Sequence, residues 1–441
     1  MRIIRGLQNA REFLEKLLTE RSHTREDIEA RVKEAIEEVK SLGDKAIIND
    51  VRQFQKVELK ESDIKVSLKE IDESENLLSH EIKRAIKKAI ERIWNFHERQ
   101  KLNSWLMEEE NGNIMGQKIV PIESVGIYVP GGRASYPSSL IMAAIPAKIA
   151  GTERIIVCTP PSPNGKINPA ILFTAKELGI NEIYKAGGAV AVAAMAFGTE
   201  TIPKVNKVVG PGNIYVTMAK KLLLGEIGID SLAGPSEICI LADESANPSW
   251  IAADLISQAE HDPLSSAILI TNSNNLAERV LSIIYHFARE LPSKETIEES
   301  LQNYGAIAIV NNLDEGAHLV NTIAPEHLEI QTKEPFSILS KIKNAGTVFL
   351  GAYSSEVIGD YVGGPNHILP TSGTAKFFSG LSVKDFLKTI NFLSISEDGF
   401  KELSDITITL AEAEGLHGHA LSIKIRKQNS FIKEKPRWTG H

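Results

Sequence analysis

From about residue 119 the chain repeats one alternation: a short β-rich run, a glycine turn, then a helical stretch. VGIYV leads to PGG and a helix from about Ser135, and RIIVCT, NEIYKA and KVVG each precede another helical stretch. Strands separated by helices cannot pair as tight hairpins, so this pattern dictates a parallel sheet with helices packed on it. A second series follows, EICILA, SAILIT, AIAIV, HLEIQT and GTVFL, with helical segments beginning near Pro248, Asn274 and Asn312. The break between the series falls at the AGPSE turn around Gly234. The expected fold class is therefore α/β, with parallel-sheet domains over 119–236 and 237–381.

The two ends read differently. Ile28, Val32, Ile36 and Val39 recur at helical spacing after a plausible cap at Thr24, and Ile82, Ile86, Ile90 and Ile93 do the same. Residues 1–118 are thus expected to form a helical N-terminal region packing with the second α/β domain. The basic run KRAIKKAIER lies on the face opposite its isoleucines and reads as a solvated helix face. Residues 382–441 read as a small helical tail domain ending in the polar KEKPRWTGH.

A chain of 441 residues exceeds one ordinary core. With 49 basic and 57 acidic residues it is mildly acidic, which gives no electrostatic reason to expect nucleic acid or an anionic membrane as partner. The cysteines, Cys158 and Cys239, sit inside apolar strand-like runs, so buried thiols and a reducing compartment are expected. MRIIRGLQNAREFLEKLL is broken by charge throughout, and no stretch approaches the ~20 apolar residues of a membrane span. The reading is cytoplasmic small-molecule chemistry.

Four segments carry polar groups suited to it. In SQAEHD, Gln258 and His261 are spaced i,i+3 near the end of a predicted helix and could share one metal ion. In APEHLEI, adjacent Glu326 and His327 offer two proton-transfer groups with different resting pKa values. Neighbours on a strand point to opposite faces, so a shared site requires an irregular turn, which Pro325 would supply. GDYVGGPNHILP places Asp360 and His367 around a Gly-Gly-Pro turn, where the plain alternative is a capping Asp. In AEGLHGHAL, His417 and His419 lie about 200° apart on a helix, so spacing alone does not choose between them. Without a thiolate, the N/O set suits zinc or a similar divalent ion. No GxGxxG fingerprint is present, but PGG at 130–132, AGGAVAVAAMAFG at 186–198 and GPGN at 210–213 fall at strand-to-helix junctions, where backbone N–H groups could approach a diphosphate.

GPGN, AGPSE, QAEH, APEHLE, the GDY…NHILPT run and AEGLHGH, in this order over about residues 119–425, resemble the histidinol dehydrogenase family. The resemblance implies two incomplete Rossmann-like domains. It also implies oxidation of L-histidinol through enzyme-held histidinal to L-histidine, with two NAD reduced. By the same resemblance, one zinc (Zn2+) per subunit would be held by Gln258, His261, Asp360 and His419, with His327 the base for the alcohol and Glu326 the base activating water. Ser236, His367 and Glu414 match substrate-contacting positions, together with the zinc-side residues and His327. Tyr128 and Asn213 match NAD-contacting ones. Val190 stands in GGAVA where the family commonly carries glutamine, so one polar NAD contact is absent. The resemblance further implies a homodimer in which the C-terminal tail of one chain completes its partner's site. Rival readings are a zinc hydrolase using Glu326 on a metal-bound water, and a non-catalytic metal-binding scaffold.

Overall fold

The protein is described by a computed structural model over residues 1–21, 26–131 and 136–429. The cap at Thr24, the turn residue Gly132, the helix start at Ser135 and the terminal KEKPRWTGH lie outside the described residues. In chain order the strands are β1 (Arg2–Arg5), β2 (Trp105–Glu108), β3 (Ile114–Pro121), β4 (Ser124–Tyr128), β5 (Arg154–Thr159), β6 (Glu182–Lys185), β7 (Lys207–Val209), β8 (Gly228–Ile229), β9 (Glu237–Ala242), β10 (Ser266–Thr271), β11 (Gly305–Ile309), β12 (His327–Gln331), β13 (Thr347–Leu350) and β14 (Leu387–Ser394).

Two parallel sheets form as the alternation requires. The first has the order β6-β5-β4-β7-β8 and the second β1-β11-β10-β9-β12-β13. Both belong to one compact unit, residues 1–101 and 121–386. Strand β9 shows why the runs are apolar throughout: Ile238, Ile240 and Ala242 enter one core while Cys239 and Leu241 enter the core on the opposite face. A parallel strand covered by helices on both faces buries both sets of side chains. Each sheet holds one cysteine, Cys158 in β5 and Cys239 in β9, both fully buried and free. Burial pushes both thiols far above the usual range.

The N-terminal region serves both sheets. β1 adds an edge to the second sheet through register pairs such as Ile3 with Ile307, and the helix Leu7–Arg21 packs against Leu313–Ile323. The helix Glu26–Leu42 instead lays Ile28, Val32, Ile36 and Val39 into the core of the first sheet. In His80–His97 the buried stripe is Ile86, Ala89, Ile93 and His97, with Ile82 exposed.

The helix Pro137–Ala150 is apolar on almost every side and correspondingly buried. Pro146 inside it has no N–H, which leaves the Met142 carbonyl without its intrahelical donor. The Asn366 side-chain amide donates to that carbonyl at 2.6 Å, so a helix irregularity under the first sheet anchors the loop that carries His367.

Residues 102–120 and 387–441 form the second compact unit. Its helices Glu397–Ala413 and His417–Asn429 pack together, the first capped by Ser396. Alongside the expected helices it contains the sheet β14-β3-β2. These strands escaped the sequence reading because their side chains are mostly exposed: Trp105, Leu106, Ile390, Phe392 and Leu393 lie open, and no buried face imposes an apolar/polar alternation.

Candidate active site

The site gathers at the amino end of the second sheet. Ala324 adopts a left-handed conformation (φ 53°) and Pro325 follows, so the chain enters β12 through an irregular turn. Glu326 therefore precedes the regular strand, and the backbone N–H and carbonyl of Glu237 at the start of β9 bracket both residues. The Glu237 N–H donates to Glu326 Oε2 at 2.9 Å, and His327 Nδ1–H donates to the Glu237 carbonyl at 3.1 Å. That second bond fixes Nδ1 as a donor and makes Nε2 the nitrogen at which the ring gains or loses its proton. Nε2 is buried without a hydrogen-bond partner, 3.6 Å from Asp360 Oδ1.

Burial pushes the Glu326 carboxyl up to about 8, against the opposing pull of His327 and the Glu237 N–H. Burial alone would lower His327, but the Glu326, Asp360 and Glu356 carboxylates outweigh it and hold the imidazole up at about 10. A protonated Glu326 withdraws part of that support. The imidazole is surrounded by acceptors that favour its cationic form.

Asp360 lies in the last turn of the short helix Glu356–Tyr361. Burial opposes its ionisation, yet His327, His367 and His261 hold its pKa below the usual value. His367 Nδ1–H donates to the Asp360 carbonyl at 2.8 Å, leaving Nε2 for Ser139 Oγ at 3.5 Å. Ser139 belongs to the helix that follows β4, so the carboxyl end of the first sheet meets the amino end of the second here. Ser236, directly before β9, is half-buried, and its carbonyl accepts from the Ser266 N–H.

Gln258 sits in the last turn of Pro248–Ala259 and is 1% exposed, with Oε1 unpartnered. His261 lies just beyond the helix end, exposed, its N–H bonded to the Gln258 carbonyl at 3.3 Å. An orphaned buried amide oxygen at the negative end of a helix is where a cation is accommodated. His261, three residues on, acts electrostatically on Asp360, and amide, imidazole and carboxylate make an all-N/O set whose chemistry fits a divalent ion such as zinc. Among the described residues, the donor atoms of His327, Glu356 and Asp360 also lie within 4.8 Å of one another. Glu356, 1% exposed, was not singled out from sequence. Its signal was the i,i+4 spacing to Asp360 in EVIGDY, readable only once that segment is known to be helical.

The candidate cofactor turns follow the strands of the first sheet. The Tyr128 hydroxyl accepts from the Gly188 N–H at 3.2 Å, and burial pushes this phenol up to about 12. Gly188 (φ +57°) opens the helix Gly188–Phe197, which no side chain caps, and nothing stands within 4 Å of where its Cβ would be. This is an open helix start of the kind a diphosphate can approach. Val190, in its first turn, is buried in the core. The GPGN turn is held by a buried ion pair: Lys220 Nζ lies 2.7 Å from Asp230 Oδ1 and bonds the Gly210 carbonyl, while the Gly210 N–H donates to Asp230 Oδ2 at 2.8 Å. Gly210 has φ +112°, and a Cβ there would meet the Tyr128 carbonyl oxygen at 2.2 Å, so only glycine fits. Asn213 is exposed and caps the helix Ile214–Leu223, its Oδ1 accepting from the N–H groups of Tyr215 and Val216.

Glu414 and His419 belong to the second unit. Both are exposed, Glu414 at the end of Glu397–Ala413 and His419 in the first turn of His417–Asn429.

A family model described as histidinol dehydrogenase matches residues 18–427. The histidinol dehydrogenase of Carboxydothermus hydrogenoformans is 48% identical over 96% of this chain and 99% of its own length. That of Caldanaerobacter subterraneus subsp. tengcongensis is 52% identical over 91% of this chain and 93% of its own. The crystal structure of histidinol dehydrogenase from Elizabethkingia anophelis superposes with a TM-score of 0.92 at 39% identity, covering 98% of this chain and 99% of that one.

Proposed function

The chain belongs to the histidinol dehydrogenase family, and on that premise we propose that it oxidises L-histidinol through enzyme-held L-histidinal to L-histidine, reducing two NAD, as a cytoplasmic enzyme. The observation that carries the reading is the bracketing of Glu326 and His327 by the backbone N–H and carbonyl of Glu237, which turns two adjacent residues toward one site.

His327, with Nδ1–H fixed on the Glu237 carbonyl, offers Nε2 as the base that takes the alcohol proton as hydride leaves the carbinol carbon. Glu326 takes a proton from the water that adds to the aldehyde, giving a gem-diol. His327 has by then returned its first proton to the aldehyde oxygen, completing the gem-diol, and with Nε2 free again it accepts the proton of the second oxidation. Gln258, His261, Asp360 and His419 would hold zinc, which when bound orients the substrate's imidazole and amino nitrogens. Ser236, His367 and Glu414 would contact the substrate. NAD supplies the hydride acceptor, approached by Tyr128, the open turn at Gly188 and Asn213, with Val190 contributing packing in place of a polar contact.

His419 and Glu414 would come from a second copy of the chain. What supports this is that both stand exposed on a unit whose apolar side chains Leu403, Ile406, Leu410 and Leu421 are also exposed, as expected of a homodimer surface.

The test is NADH formation from L-histidinol and NAD before and after chelation. Two NADH per histidinol, lost with chelation and restored by zinc, supports the reading. No NADH from folded, zinc-loaded protein would return the zinc hydrolase and the scaffold to first place. A metal held by His327, Glu356 and Asp360 is the second reading that the geometry favours. Zinc binding that survives His261→Asn but fails in Glu356→Gln would select it.

A further inference from the structure

Strand β12 is buried on both faces, yet it is apolar on only one. Leu328 and Ile330 enter the core, while His327, Glu329 and Gln331 share the opposite face. Glu329 is fully buried, and Gln331 is nearly so. Neither side chain reaches the substrate side by itself; both point into a hydrogen-bond network behind it. Glu329 Oε1 accepts from the backbone N–H of Glu356 at 2.8 Å, and Glu329 Oε2 accepts from Gln331 Nε2 at 2.6 Å. Gln331 Nε2 also donates to Asp254 Oδ2 at 3.1 Å, and Ser355 Oγ donates to Asp254 Oδ1 at 2.9 Å. Ser257 Oγ closes the circuit, lying 2.6 Å from Glu356 Oε1 and 2.8 Å from the Asp254 carbonyl.

The partners in this circuit are hydroxyls, one amide and a backbone N–H, with no lysine or arginine among them. Three buried carboxyls, of which only Glu356 feels a nearby cationic side chain, His327, are costly to retain. Burial raises the pKa of Asp254, Glu329 and Glu356 alike. An apolar face, as on the other side of β12, would serve the core better. What the network does instead is join three elements: the strand carrying His327, the helix carrying Gln258 through Asp254 and Ser257, and the helix carrying Asp360 through the N–H of Glu356 and the hydroxyl of Ser355.

We propose that Glu329, Gln331 and Asp254 are positioning residues that clamp these three elements together, so that Gln258 and Asp360 meet a metal ion at fixed separation beside His327. The inference rests on the zinc reading of the site. Groups that orient metal ligands typically change metal affinity about 10- to 100-fold when removed.

The test measures zinc affinity of metal-free, folded protein by competition with a chromogenic chelator. Glu329→Ala should lose about 10- to 100-fold in affinity, with NAD affinity unchanged. Glu329→Gln keeps an acceptor for the Glu356 N–H and should stay within about threefold of wild type. Ser355→Ala, which removes one donor to Asp254, should fall between them and carries the test if Glu329→Ala does not fold. Ile268→Ala truncates the core of the same sheet away from the network. It should lower Tm while leaving zinc affinity intact. Wild-type affinity in Glu329→Ala or Ser355→Ala, or an equal loss in Ile268→Ala at matched Tm, would overturn the clamp. A wild-type protein without zinc affinity would overturn the metal reading itself and the clamp with it.

Discussion

In the five-stranded sheet the functional turns follow the strands: Tyr128 ends β4, Gly188 comes after β6, and the GPGN turn comes after β7. In the six-stranded sheet the functional groups come before them: Ser236 precedes β9, Gln258 and His261 precede β10, and Glu326 precedes β12. The two sheets arise from the same alternation and offer opposite ends to the same place, touching where Ser139 reaches His367. The difference has an electrostatic meaning. Carboxyl ends of parallel strands lead into helix N-termini, whose free N–H groups favour an anion such as a diphosphate. Amino ends receive helix C-termini, here that of Pro248–Ala259, whose carbonyls favour a cation. On the proposed function, one sheet would take the phosphorylated cofactor and the other the metal, each aided by backbone dipoles.

Variants that act at one end and leave the other untouched sharpen this contrast. The largest effect is expected for His327→Asn, which removes the base proposed for both oxidations. NADH production should fall on the order of 10²- to 10⁴-fold while NAD still binds, and retained turnover would remove His327 from the proton path. Glu326→Gln should come next, slowing histidinal oxidation about 100-fold or more with a smaller effect on histidinol; equal losses in the two half-reactions would contradict its assignment to water. The same residue sets a pH dependence. Its carboxyl is raised to about 8 by burial, and only the carboxylate activates water, so histidinal oxidation should increase as pH rises through about 8. A profile flat across that range would indicate a different base.

His261→Asn should weaken zinc about 10-fold or more without altering NAD affinity, measured by chelator competition and calorimetry on the same samples. Gly210→Ala is the mirror experiment. Its left-handed φ and the 2.2 Å approach to the Tyr128 carbonyl oxygen should cost about 1–3 kcal/mol of stability and weaken NAD binding, with zinc affinity unchanged. Joint loss of both ligands in either variant would break the division of labour between the sheets.

How much of this could be read from sequence depended on what each residue's neighbours repeat. The parallel sheets were legible because EICILA, SAILIT and RIIVCT are each apolar through their middle four residues, as strands buried on two faces must be. β1 was not, since four residues flanked by arginines at a sheet edge carry too little pattern. At the site, the motifs exposed Gln258, His261, Glu326, His327, Asp360 and His367 as candidates. The role of Glu237 was hidden because it acts through its backbone N–H and carbonyl, which have no sequence signature. Glu329 and Gln331 were hidden because HLEIQT, read alone, has the alternation of a strand wetted on one side; only the helices over that side make its polar face an interior one. Pro146, inside the helix Pro137–Ala150, gives no sign in the sequence of what its missing N–H is for. It became intelligible once Asn366 was seen to use the carbonyl it frees.

The placement of Cys158 and Cys239 makes the protein its own stopwatch. Each thiol lies fully buried within one of the two parallel sheets, so an alkylating reagent can reach it only when that sheet opens. Under native conditions the labelling rates of Cys158 and Cys239, resolved by peptide mapping, would time the opening of the two sheets separately. Adding NAD should slow one of them and adding zinc the other if each ligand secures the sheet to which it is assigned here.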